Sequence, residues 1–149
     1  MEEIIQEKIS ADHLLYVSLK YTKTCDVILN LLLRWRRMIE ISIDAILRHA
    51  KKKKKISIVP ANPIGKIEEV KTLFKKDKEF LKVIEFYEML RKIENLKRER
   101  IGEFRKNVCL KIFYQGSEIN VNFEQLKIYA DLLEKFIRTT KEHISIEFI

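Results

Sequence analysis

Two basic stretches hold the residues whose types and spacing suggest chemistry. One is a run of consecutive lysines, Lys51, Lys52, Lys53, Lys54 and Lys55. The other runs from Lys97 and Arg98 through Arg100, Arg105, Lys106 and Asn107. Cations at this density suit a polyanion. Lysine meets phosphate as a point charge, and arginine meets it with a planar fork of donors. Arg91, Arg98 and Arg105 recur every seven residues. On a helix that spacing puts them on one face, where a row can follow a nucleic-acid backbone. Glu94, Glu99 and Glu103 are interleaved with the row. A solvated face laced with ion pairs therefore explains the same letters.

Other chemistry has little to stand on. The sequence lacks a glycine-rich phosphate loop, a G-x-S-x-G and an H-E-x-x-H, so no cofactor is expected. His13, His49 and His143 are isolated, and Cys25 and Cys109 belong to no C-x-x-C pair, so no metal site is expected. Both cysteines lie among apolar residues, as buried thiols in a reducing, cytoplasmic setting would. Trp35, Tyr87, Tyr114 and Tyr129 fall mostly on apolar stripes, which assigns them to packing before base stacking.

The elements that must position the basic stretches read as helices. The chain has 149 residues, 46% hydrophobic and 35% charged, which is enough for one domain with a real core. Only three glycines and two prolines occur, too few for the turns of an all-β protein. The net charge of +8 favours nucleic acid or another anionic surface. A lysine-rich proteome, from an AT-rich or thermophilic source, gives the same surplus. The acidic start, Met1-Glu2-Glu3, argues against a signal peptide. The apolar run from Val27 to Leu33 is too short to span a bilayer, so no membrane partner is expected.

Leu14, Leu15, Val17, Leu19 and Tyr21 mark a first segment over about 3–21. Ile28, Leu31, Leu32, Trp35, Ile39, Ile43 and Ile46 form one apolar stripe over about 24–50. The two are one bent helix or a tight hairpin. A mobile basic loop follows over about 51–66, with Pro60, Pro63 and Gly65. Ile67, Val70, Leu73 and Phe74 mark a short helix, and Asp77 caps the next, expected from about 78 past Leu96 and on toward Asn107. Val108 to Tyr114 alternates as a strand or a buried helix, and Gln115-Gly116-Ser117 reads as a turn, with Ile119 to Val121 able to pair back. Asn122 and Gln125 form a capping pair for the last helix. The tail from Ile144 to Phe148 alternates like an edge strand, or frays. The expected fold is all-α: an up-and-down bundle of four to five helices over 1–149, with room for a small β-hairpin at 108–121. Antiparallel pairing of its two longest helices should form the core.

The segment Arg98-Glu-Arg100-Ile-Gly-Glu-Phe104-Arg105-Lys106-Asn107-Val108 resembles part of the HEPN superfamily. In those small helical bundles an arginine is followed, four to six residues later, by a histidine, and catalytic members cleave RNA without a metal at a dimer interface. The resemblance implies an RNA-associated homodimer whose phosphate contacts come from Arg98, Arg100, Arg105, Lys106 and Asn107, with Lys51 to Lys55 adding non-specific attraction. Position 107 holds Asn where the family has His. An amide can hold phosphate but cannot exchange a proton near neutral pH. The implied module is therefore a weak ribonuclease or none, and at most a metal-independent one. Arg138 and His143 match the same spacing near the end of the last helix and are the candidate catalytic pair. The stretch from Arg105 through Phe136 is also similar to the helical domain of archaeal GINS replication subunits. That likeness implies the alternative, a non-catalytic protein-interaction subunit of a replication complex.

Overall fold

The structure is a computed structural model and describes residues 1–145. Helix α1 begins as Glu2–His13, widens into a π-helical turn over Leu14–Ser18 and closes with Leu19–Tyr21. Helix α2 spans Cys25–Lys52, α3 Pro63–Leu73, α4 Lys78–Lys92 and α5 Phe123–Ser145. Between α4 and α5 lie a 3₁₀ turn, Ile93–Asn95, and strands β1 Arg98–Ile101, β2 Cys109–Tyr114 and β3 Ser117–Val121. The strands form one antiparallel sheet in the order β1-β2-β3. The bundle is thus joined by a small sheet rather than being purely helical. Of the tail expected as an edge strand, Ile144 and Ser145 belong to α5, and the rest lies outside the described residues.

Helix α2 is the central element. Its buried face carries Ile28, Leu31, Leu32, Trp35, Met38, Ile39, Ile43, Ile46 and Leu47, a stripe wide enough to meet neighbours on several sides. Thr24 starts it, its side-chain oxygen accepting from Val27 N at 3.3 Å. Helix α1 folds back as the second arm of a hairpin. Glu7 ties the two together, accepting from Arg34 at 3.2 Å and Arg37 at 3.3 Å. Helix α4 runs antiparallel to α2, since Tyr87 meets Glu40 while Arg36 reaches Leu90 O and Glu94.

The helices expected to be the two longest, over about 24–50 and from about 78, are α2 and α4, and they pair antiparallel, but α4 stops at Lys92. The second-longest helix is α5, and Trp35 meets Tyr129 while His49 meets His143, so α2 and α5 run side by side in the same direction. The antiparallel partner of α5 is α4, through Phe86 on Tyr129 and Phe80 beside Phe136. The intervening sheet lets the chain re-enter parallel to α2. Each fully buried Leu, Ile or Phe in this core contributes about 1.5–3 kcal/mol of transfer free energy. The two buried hydroxyls, Ser42 and Thr140, donate to the carbonyls of Met38 and Phe136 one turn earlier.

The largest correction concerns residues 93–107, which are not helical beyond Asn95. Local propensity allows helix there, but β2 needs an edge partner. Leu110 and Ile112 point into the core, and β1 supplies the ladder, with Arg100 opposite Leu110 and Arg98 opposite Ile112. Arg91, Arg98 and Arg105 therefore share no helix face: they lie at the end of α4, at the start of β1 and in a loop. The hairpin at 108–121 is formed, with Tyr114 opposite Ser117. Gln115 at φ 51° and Gly116 at φ 77° give the two left-handed positions of a type I′ turn.

The lysine run is partly helix terminus. Lys54 N donates to Lys51 O at 3.0 Å and Lys55 N to Ala50 O at 2.9 Å, the paired bonds of a Schellman stop. Lys54 takes the left-handed residue of that stop, at φ 59°, where glycine is usual. Helix α3 starts inside the expected loop because Asn62 accepts from Gly65 N at 2.6 Å and Pro63 fills the first helical position.

Candidate nucleic-acid interface

The β1–β2 loop, residues 102–108, is drawn onto the start of α2 by three contacts. Phe104 N donates to Lys23 O at 2.6 Å, in the turn between α1 and α2. The Glu103 carboxylate accepts from Cys25 N at 3.2 and 3.3 Å, placing a negative charge on the N-terminus of α2. Arg100 bridges the two elements, giving Nη2 to Asp26 at 2.5 Å and Nη1 to Glu103 at 3.4 Å. The Arg100 guanidinium in turn holds the Asp26 carboxyl below the usual carboxylate range.

This geometry sorts the basic stretch. Arg98 is turned back, donating to the carbonyl of Ile93, the first residue of the 3₁₀ turn. Arg100 is neutralised by two carboxylates. Asn107 folds over Gly102, whose φ of 66° leaves no room for a side chain. A Cβ there would lie 2.7 Å from Asn107 Oδ1. Arg105 and Lys106 are exposed and make no ion pair among the described residues. Lys51, Lys53, Lys54 and Lys55 are exposed too, but at the opposite end of α2. At 1.5 Å per residue the 28 residues of that helix separate the two basic regions by about 40 Å. They do not form one surface.

A groove opens where Lys106 lies, with a volume of about 370 Å³. Leu15, Leu19 and Val108 are its buried floor, Tyr16 and Phe123 its exposed sides, and Lys20, Lys23 and Lys106 its cationic rim. The π turn of α1 helps to build it. Leu19 N reaches back five residues to Leu14 O, taking up an extra residue so that Ala11, Leu15 and Leu19 all stay buried while Tyr16 remains outside. Two further aromatic rings are exposed on the segments that carry Lys20, Lys23 and Lys106. Tyr21 is 78% and Phe104 76% exposed, Lys20 Nζ lies 5.9 Å from the Tyr21 ring centroid, and Lys127 Nζ lies 5.3 Å from that of Phe123. No carboxylate pairs with Lys20, Lys23 or Lys106 among the described residues; Lys23 Nζ donates to Lys20 O at 2.6 Å.

Comparison with protein-family models, curated proteins and solved structures gives no match. The chemistry of the groove therefore rests on its own residues.

Sequence reasoning singled out Arg105, Lys106 and Asn107 but missed the facing half of the groove. Lys20, Lys23, Tyr16 and Phe123 were not among the residues that the sequence singled out. The one signal was the crowding of Tyr16, Lys20, Tyr21 and Lys23 into eight positions.

Arg138 and His143 are not brought together. Arg138 is exposed, whereas His143 turns inward, its ring 5.0 Å from that of His49 and 5.2 Å from Phe74. Five positions along a helix rotate side chains by about 140°. Burial, then His49 and Lys55, hold the His143 imidazole below its ordinary value. The unfolded chain therefore binds this proton more readily than the folded one. Stability is full above the ordinary histidine range and declines as pH falls through it. Thermal melting between pH 7.5 and 5 should show a smaller loss in His143→Phe than in the wild type; equal losses would place the acid sensitivity elsewhere.

Thiol chemistry is suppressed as well. Burial and the Glu103 carboxylate push the Cys25 thiol up to about 11, and burial raises that of Cys109. Neither is a nucleophile near neutral pH. Among the described residues no three His, Cys, Asp or Glu side chains gather as a metal site, and no helix is long and apolar enough to cross a membrane.

Proposed function

We propose that this protein is an RNA-associated module that holds single-stranded RNA, without cleaving it, on the groove between α1, the β1–β2 loop and the start of α5. One observation carries this reading: lysines without carboxylate partners ring an apolar groove flanked by exposed aromatic rings. Unpaired bases stack on such rings whatever their sequence, while lysines follow the backbone. The groove has no histidine, and Asn107 beside it cannot shuttle a proton, which supports binding rather than hydrolysis. The choice of RNA over DNA rests on the resemblance of the Arg98–Val108 segment to HEPN proteins.

A titration of a short labelled oligouridylate, followed by fluorescence anisotropy at several salt concentrations, tests it. Three lysines on phosphates should give a slope of log K against log salt near about −2. The same length of duplex DNA should bind more weakly, since paired bases cannot reach the rings. Affinity that ignores salt, or a preference for the duplex, would remove the proposal.

A further inference from the structure

We infer that Phe104 is a stacking finger for an unpaired base, presented beside the groove by a loop whose backbone is anchored to Lys23. The inference rests on the groove reading and extends it to a residue outside the groove itself. Phe104 is 76% exposed, so its ring adds nothing to the core. It also has φ 65°, a left-handed backbone that an aromatic residue rarely adopts. A loop under selection for stability alone would place Gly or Asn there.

The surroundings hold that backbone in place. Phe104 N donates to Lys23 O at 2.6 Å, Arg105 N to Gly102 O at 2.9 Å and Val108 N to Arg105 O at 3.0 Å. Gly102 closes the loop against Asn107, whose backbone oxygen would lie 3.0 Å from an added Cβ. The backbone that carries the ring is thus anchored at Lys23 and lies two residues before Lys106, and both lysines line the groove. Lys54 and Gln115 take the same backbone region at a helix stop and a hairpin turn, and Phe104 is the one of the three that exposes an aromatic ring. An exposed apolar ring in a loop that carries Lys106 and is bonded to Lys23 fits a base with its phosphates attached.

The test compares Phe104→Gly, Phe104→Trp and Lys106→Glu with the wild type on the same oligouridylate, with a thermal melt of each. Phe104→Gly should melt higher, because the left-handed position is relieved, while its affinity drops about tenfold for the lost stack. Phe104→Trp should keep the affinity. If Lys106→Glu weakens binding but Phe104→Gly does not, the finger is overturned and the groove reading stands. If the wild type does not bind, or Lys106→Glu changes nothing, both fall. A lower melting point for Phe104→Gly would make the ring a packing element and overturn the inference as well.

Discussion

Trp35→Ala is expected to remove about 3–5 kcal/mol of stability, the usual range for truncating a buried aromatic. Trp35 is 3% exposed at the middle of α2. Its indole stands edge-on to Phe86 at 6.2 Å and to Tyr129 at 6.3 Å, and those two rings stack on each other at 4.2 Å. Three helices therefore meet on one side chain. Its loss opens a void that none of them can close without unstacking the other pair. Set against the roughly 5–15 kcal/mol that holds a typical domain together, the variant keeps only part of its margin. Urea unfolding followed by far-UV circular dichroism measures the change, since Trp35 is the sole tryptophan and its fluorescence goes with it. A shifted midpoint at unchanged slope is the expected result. A loss below about 1 kcal/mol would mean that the three rings are not a packed centre.

The second large effect concerns binding. Reversing Lys20, Lys23 and Lys106 to glutamate should weaken oligouridylate binding by at least about 100-fold at moderate salt. Each contact at about 4 Å contributes near 1 kcal/mol even at the dielectric of water, and each reversal turns it into repulsion of similar size. None of the three pairs with a carboxylate among the described residues, so the melting curve should move little, the bond lost being that from half-buried Lys23 Nζ to Lys20 O. The informative control is Lys51, Lys53 and Lys55 reversed together. They carry equal charge but lie about 40 Å away by helix length, several screening lengths at physiological salt. Their reversal should change affinity little. The opposite outcome, with the lysine run decisive and the groove silent, would relocate the interface to the other end of the bundle.

The two basic stretches show how far the sequence reached. The lysine run could be read as a helix end because a dipole-compatible stop was due after Ala50, and Lys51 and Lys52 do end α2. The caps at Asp77 and Asn122 were legible for the same reason: each is a local bond, to Phe80 N at 3.1 Å and to Gln125 N at 2.9 Å. The segment after Lys92 was not legible. Its letters favour a helix, and only the need of β2 for a partner, whose residues lie eight to fourteen positions later, makes it a strand. The arginine row vanished with that helix. The ion pair of Arg100 with Asp26 spans 74 positions of sequence, beyond what any local pattern reports.

Periodicity and capping, which act within a few residues, determined the main helices and most of their starts, and local composition the turn at Gly116 and the buried state of both cysteines. Tertiary structure decided which cations remain available. Carboxylates distant in sequence neutralised Arg100, a backbone carbonyl took Arg98, and a loop carried Lys106 to Lys20 and Lys23. The physical reason is range. A cation's freedom depends on every charge within a few ångströms of it, and those neighbours are chosen by the fold rather than by the adjoining letters.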